Sequence, residues 1–193
     1  MGMGKKFQKP LTGGRIMQFF IDLSGQQYKD IIAHLLPNGD TRESAAFIFA
    51  DFHEDNRSLI LSAKDYILIN QEGFTVQQDD YIELSDESRI AVIKKAHQTN
   101  TALVELHSHP FESPWSAAFS LADMAGFDET VPHMWWRLPG RPYAAIVVSP
   151  CGFDSLVWSM DPGSPQSLTA LRVDGEILKP TGMTLGEKYV CRK

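Results

Sequence analysis

The chain has 193 residues, a formal net charge of -6, 43% hydrophobic and 22% charged residues, which suits one globular domain with a sizeable core. The acidic balance argues against a nucleic-acid binder, which needs clustered Lys and Arg. No apolar run approaches the ~18 residues of a membrane helix, and Met1-Gly-Met-Gly-Lys-Lys has no apolar segment behind its charges, so no secretory signal is expected.

Residues 1–13 bear Gly, Lys and Pro and are expected to fray. A strand is predicted over 15–22. Ser24 to Gln27 has the form of a capping box. It opens a helix over 26–36 whose apolar stripe is Tyr28, Ile31, Ile32, Leu35 and Leu36, with His34 at the stripe's edge as a surface residue. Pro37-Asn-Gly-Asp40 breaks that helix. After Glu43, the run 44–50 is almost continuously apolar, as in a central strand. His53-Glu54 begins like the zincin motif, but Arg57 stands where its second histidine is needed, so 53–57 reads as a solvated turn. Strands are expected at 59–61 and 66–69, and one more over 76–84. Ser85 then caps a helix with an acidic first turn. Its body, 89–97, is expected to bury Ile90, Ile93 and either Ala96 or His97.

Ala102-Leu-Val-Glu-Leu-His107 predicts a strand that Pro110 ends. Side chains alternate along a strand, so Glu105, His107 and His109 point to one face. A His-x-His pair alone is also what a surface strand carries, but here a second feature follows. Ser120-Leu-Ala-Asp123 opens a helix with Ser120 as N-cap, and Asp123 lies one turn inside. His107, His109 and Asp123 could then hold a zinc ion and leave its fourth tetrahedral position to water, the pattern of a catalytic site. Glu105 could orient an imidazole or act as the base itself. Trp115, in the loop before Ser120, could line a groove for an extended peptide, whereas Trp135 and Trp136 are expected to pack inside.

Beyond Asp123 the helix is expected to run to about Phe127. A second short helix then starts at Glu129-Thr-Val-Pro132 and stops at Pro139-Gly140. A strand over 142–149, a turn holding Cys151 and a return strand over 154–160 form a hairpin. One more strand is expected over 169–173. Cys151 and Cys191 have no metal-ligand spacing and read as reduced thiols of a cytoplasmic protein. The organisation expected is a frayed 1–13, one domain over 14–160, and an extension over 161–193 that packs on it or trails from it. Mixed strands and helices give the class α/β or α+β.

His107-Ser-His-Pro110 followed by Ser120-Leu-Ala-Asp123 resembles the signature of the JAMM metalloproteases, also called JAB or MPN-domain proteins. Glu43 stands where that family carries an upstream glutamate. The likeness covers roughly residues 15–160. One departure is the loop from His109 to Ser120, with ten residues where the commonest form has about seven, a difference that costs little in chain entropy. The resemblance implies an MPN-type fold, a curved mixed sheet flanked by helices with one zinc at one edge. It implies His107, His109 and Asp123 as zinc ligands, Glu43 as the base that activates the zinc-bound water, and Ser120 as a donor to the oxyanion. It further implies an isopeptidase acting after the C-terminal glycine of a ubiquitin-like protein. The bacterial members it looks most like travel with a ThiF-like activating enzyme, a conjugating enzyme and the modifier, in some cases in anti-phage operons. A processing protease for a sulfur-carrier or modifier precursor, and an inert MPN scaffold, remain alternatives.

Overall fold

The run 44–50 lacks a polar face because helices cover both sides of its strand. The computed structural model describes residues 17–55, 57–113 and 115–186. Its main sheet has eight strands: β1 (Gln18–Leu23), β2 (Ala45–Asp55), β3 (Ser58–Leu68), β6 (Ala102–Ser108), β7 (Tyr143–Ser149), β8 (Gly152–Trp158), β9 (Ala170–Val173) and β10 (Glu176–Leu178), in the order β10-β9-β1-β3-β2-β6-β7-β8. The sheet is mixed. β1 runs parallel to β3 and β9, and β6 parallel to β7, while the other neighbours are antiparallel. β4 (Phe74–Gln77) and β5 (Ile82–Leu84) form a separate two-stranded hairpin.

Period-two alternation sends the side chains of β2 to two cores. Ala46, Ile48 and Ala50 face one, closed by Ile31 and Leu35 of α1 (Gly25–Leu35). Ala45, Phe47 and Phe49 face the other, closed by Val92 and Ala96 of α2 (Asp86–Thr99) and by Phe127, Val131 and Met134 of α3 (Leu121–Arg137). Burying each large side chain contributes about 1.5–3 kcal/mol. Among the described residues no helix is long and apolar enough to cross a membrane.

Several elements differ from the sequence reading. The two helices expected after Asp123 are one, because α3 passes through Pro132, whose ring lies on the exposed side. The strand over 76–84 is the β4–β5 hairpin, turned at Gln78 to Asp80. β2 and β3 are continuous strands of 11 residues each, so His53 lies in β2 rather than in a turn. In α2, Ala96 is buried and Ile93 partly buried as expected, but Val92 is buried where Ile90 was expected, and Ile90 is 64% exposed. Trp136 is 72% exposed rather than packed inside, with Arg137 over its ring, while Trp135 is partly buried as expected. His34 is half-buried and its Nε2 lies 3.1 Å from the Ala45 carbonyl, so it ties α1 to β2. Residues 1–13, expected to fray, the expected start of the first strand at Arg15, and Cys191 lie outside the described residues.

Candidate metal centre

β6 delivers its histidines at the rim of the sheet. Ala45 of β2 pairs with His107 on one side, and Val147 of β7 pairs with it on the other. The centre therefore lies where interior strands end, and not along an outer strand. His107 shares its face with Leu103 and Glu105, the face that α2 and α3 cover. His109 lies just past the strand and keeps its register by donating its N–H to the Val148 carbonyl at 2.8 Å.

Asp123 comes from the first turn of α3. The Ser120 hydroxyl accepts from the Asp123 N–H at 3.1 Å, and Asp123 Oδ2 accepts from the Ser120 N–H at 2.7 Å. This capping box fixes where the carboxylate points and satisfies two helix-start donors. Because Ser120 Oγ only accepts here, its own proton is free.

Glu43 is set by three ties. The N–H of Ser44 donates to Ser108 Oγ at 2.9 Å. The N–H of Glu43 donates to the Gln78 carbonyl at 2.8 Å. Gln77 Nε2 donates to the Glu43 carbonyl at 2.8 Å. The histidine strand and the β4–β5 hairpin thus hold the glutamate between them.

The four side chains converge. His107 Nε2 lies 3.5 Å from Asp123 Oδ1, and His109 Nε2 lies 3.4 Å from Asp123 Oδ2 and 3.5 Å from Glu43 Oε1. Ligand atoms of His107, His109 and Asp123 all lie within 4.8 Å of one another. These separations are too long for hydrogen bonds. The two separations from histidine to Asp123 are close to the ~3.4 Å spacing that arms of ~2.1 Å to a shared metal ion produce in a tetrahedral site. His107 Nε2 is buried without a hydrogen-bond partner, which would be costly unless a ligand meets it. His109 Nδ1 lies 3.0 Å from the Ser116 carbonyl, which can only accept. The proton therefore sits on Nδ1 and leaves the Nε2 lone pair facing Asp123. These residues could bind a metal ion.

The electrostatics match a site awaiting positive charge. Burial raises the pKa of Glu43 to about 7, against the pull of His107 and His109. Burial would also raise Asp123, but the two histidines and the Ser120 N–H hold it well below the usual carboxylate range. For His107, burial disfavours the charged ring, yet Asp123, Glu105 and Glu43 outweigh that and raise its pKa.

Glu105 is raised by burial and is hydrogen-bonded by the Tyr143 hydroxyl. It faces a cavity of about 530 Å³ that opens beside Glu43, His107 and Asp123 and is floored by Phe47, Phe127 and Met134. It makes no hydrogen bond to either histidine ring. Trp115 is 73% exposed on its loop, and it is not among the residues that line this cavity. Sequence reasoning missed Ser116, whose carbonyl orients His109, and Phe119, whose ring stands 5.6 Å from that of His107. No periodicity marks either residue. Compared with models of known protein families and with curated proteins, the chain matches none.

Proposed function

We propose that this chain is a zinc metallopeptidase of the JAMM/JAB (MPN-domain) kind, with His107, His109 and Asp123 as ligands. The observation that carries this reading is the buried set of two imidazoles and a carboxylate with Glu43 Oε1 3.5 Å from His109 Nε2. When bound, zinc supplies an activated water at neutral pH and a Lewis acid for a carbonyl oxygen.

The chain's own residues supply the rest. Glu43 takes the proton of the attacking water on its carboxylate and later passes it to the leaving amine, a role worth typically about 10²–10⁴-fold. Its buried position disfavours the charged form and makes it a stronger base once ionised. Ser120 keeps its hydroxyl proton free while Oγ caps the helix, and so can donate to the developing oxyanion. The substrate proposed is the bond after the C-terminal glycine of a ubiquitin-like protein, with the modifier's own activating and conjugating enzymes as partners.

The test is Glu43→Gln, assayed on modifier fusions cleaved after a terminal Gly-Gly and on metal content. The expected result is turnover reduced at least about 10²-fold with the metal retained. An active Glu43→Gln protein would remove Glu43 as the base. A wild type that holds metal but cleaves no such fusion would remove the proposed substrate.

A further inference from the structure

The segment that joins His109 to α3 bears on both imidazoles. The carbonyl of Ser116 orients His109, and the ring of Phe119 packs on His107. A connection of ten residues has many conformations open to it, so something must hold this one. The C-terminal extension does. Thr181 Oγ1 donates to the Ala117 carbonyl at 2.7 Å, and Thr184 Oγ1 accepts from the Phe119 N–H at 3.1 Å.

The extension is itself anchored on β8. Asp154 is 1% exposed, on β8 between Phe153 and the buried Ser155. Its Oδ1 accepts from the N–H groups of Ser155 at 2.8 Å and Gly182 at 3.1 Å. Its Oδ2 accepts from the Thr184 N–H at 2.8 Å and the Thr184 hydroxyl at 2.6 Å. Four donors thus meet a carboxylate that would otherwise be costly to bury. Gly182 makes the turn at φ +68°, the left-handed region that favours glycine. The Thr184 hydroxyl is the pivot, since it donates to Asp154 and accepts from Phe119.

We propose that Asp154, Thr181 and Thr184 are positioning residues of the metal centre, and that the C-terminal segment through Thr184 is a strap that fixes both histidine ligands through residues 116–119. This rests on the reading of His107, His109 and Asp123 as a metal centre. None of the three strap residues touches a ligand directly. Their effect is to select one conformation of the loop, and it is felt as metal affinity and ligand geometry.

The experiment compares the full-length wild type with Thr181→Val/Thr184→Val and with Thr181→Ser/Thr184→Ser. The probe is Co²⁺, read by its visible ligand-field bands and by competition with a chelator, with thermal melting of the metal-free proteins recorded alongside. The valine pair should bind Co²⁺ about tenfold or more weakly and show altered bands, and the serine pair, which keeps both hydroxyls, should restore both. If the valine pair does not fold, Thr184→Val alone should shift both readouts in the same direction. A valine variant that melts lower but keeps wild-type affinity and bands would overturn the strap and leave the metal centre standing. A folded wild type that takes up neither Co²⁺ nor zinc would overturn the metal centre and the strap with it.

Discussion

Glu43 is held protonated in the metal-free protein to about pH 7, because its carboxyl is buried. An unfolded glutamate loses its proton near pH 4.5. Across that window the folded state keeps a proton that the unfolded state has released, so folding stability falls as pH rises. The size of the loss is at most about 3 kcal/mol. Urea unfolding of chelator-treated protein should show this fall, and Glu43→Gln should flatten it. An unchanged slope in the variant would mean that Glu43 is not the group that titrates. Tyr143 is 2% exposed and donates its hydroxyl to Glu105. Tyr143→Phe leaves that carboxyl without the partner and should cost about 1–3 kcal/mol in urea unfolding. Ser120→Ala removes the cap of α3 and should cost about 1 kcal/mol. It should also slow turnover well beyond what that loss of stability accounts for.

At the scale of elements, α3 carries Asp123 at one end and Pro132 in its interior. Proline cannot donate the N–H that an unbroken helix directs to the residue four positions back. Pro132→Ala should restore that bond and stabilise the protein by about 1–3 kcal/mol. A melting temperature that falls instead would show that the proline ring makes contacts worth more than the missing bond. The same proline explains why one helix reads as two in the sequence, since Glu129-Thr-Val-Pro132 has the chemistry of a helix start. What was legible were features with a local signature: the capping boxes at Ser24 and Ser120, the strand ending in His107, and the position of Glu43 just before an apolar run. The turn between β4 and β5 has no glycine to announce it, and β10 has three residues, too few to show a period. The tie between Asp154 and Thr184 joins residues far apart in sequence, so only the packing of the extension against β8 reveals it.

At the scale of the whole molecule, the chain entering β2, the end of β6 and the first turn of α3 meet at one rim and supply Glu43, the two histidines and Asp123. A ligand that binds the folded state and not the unfolded chain stabilises folding by mass action. Metal binding should therefore stabilise folding by about 2.7 kcal/mol when free zinc is a hundredfold above its dissociation constant, and excess chelator should reverse the gain. Binding should weaken as pH falls, because His107 must give up a proton that its acidic neighbours help it to keep. The most direct test is elemental analysis of zinc in the purified wild type beside His109→Ala. About one zinc per chain is expected in the wild type and none in the variant. A well-folded wild type without zinc, even after supplementation, would contradict it and leave a protein-binding scaffold as the better reading.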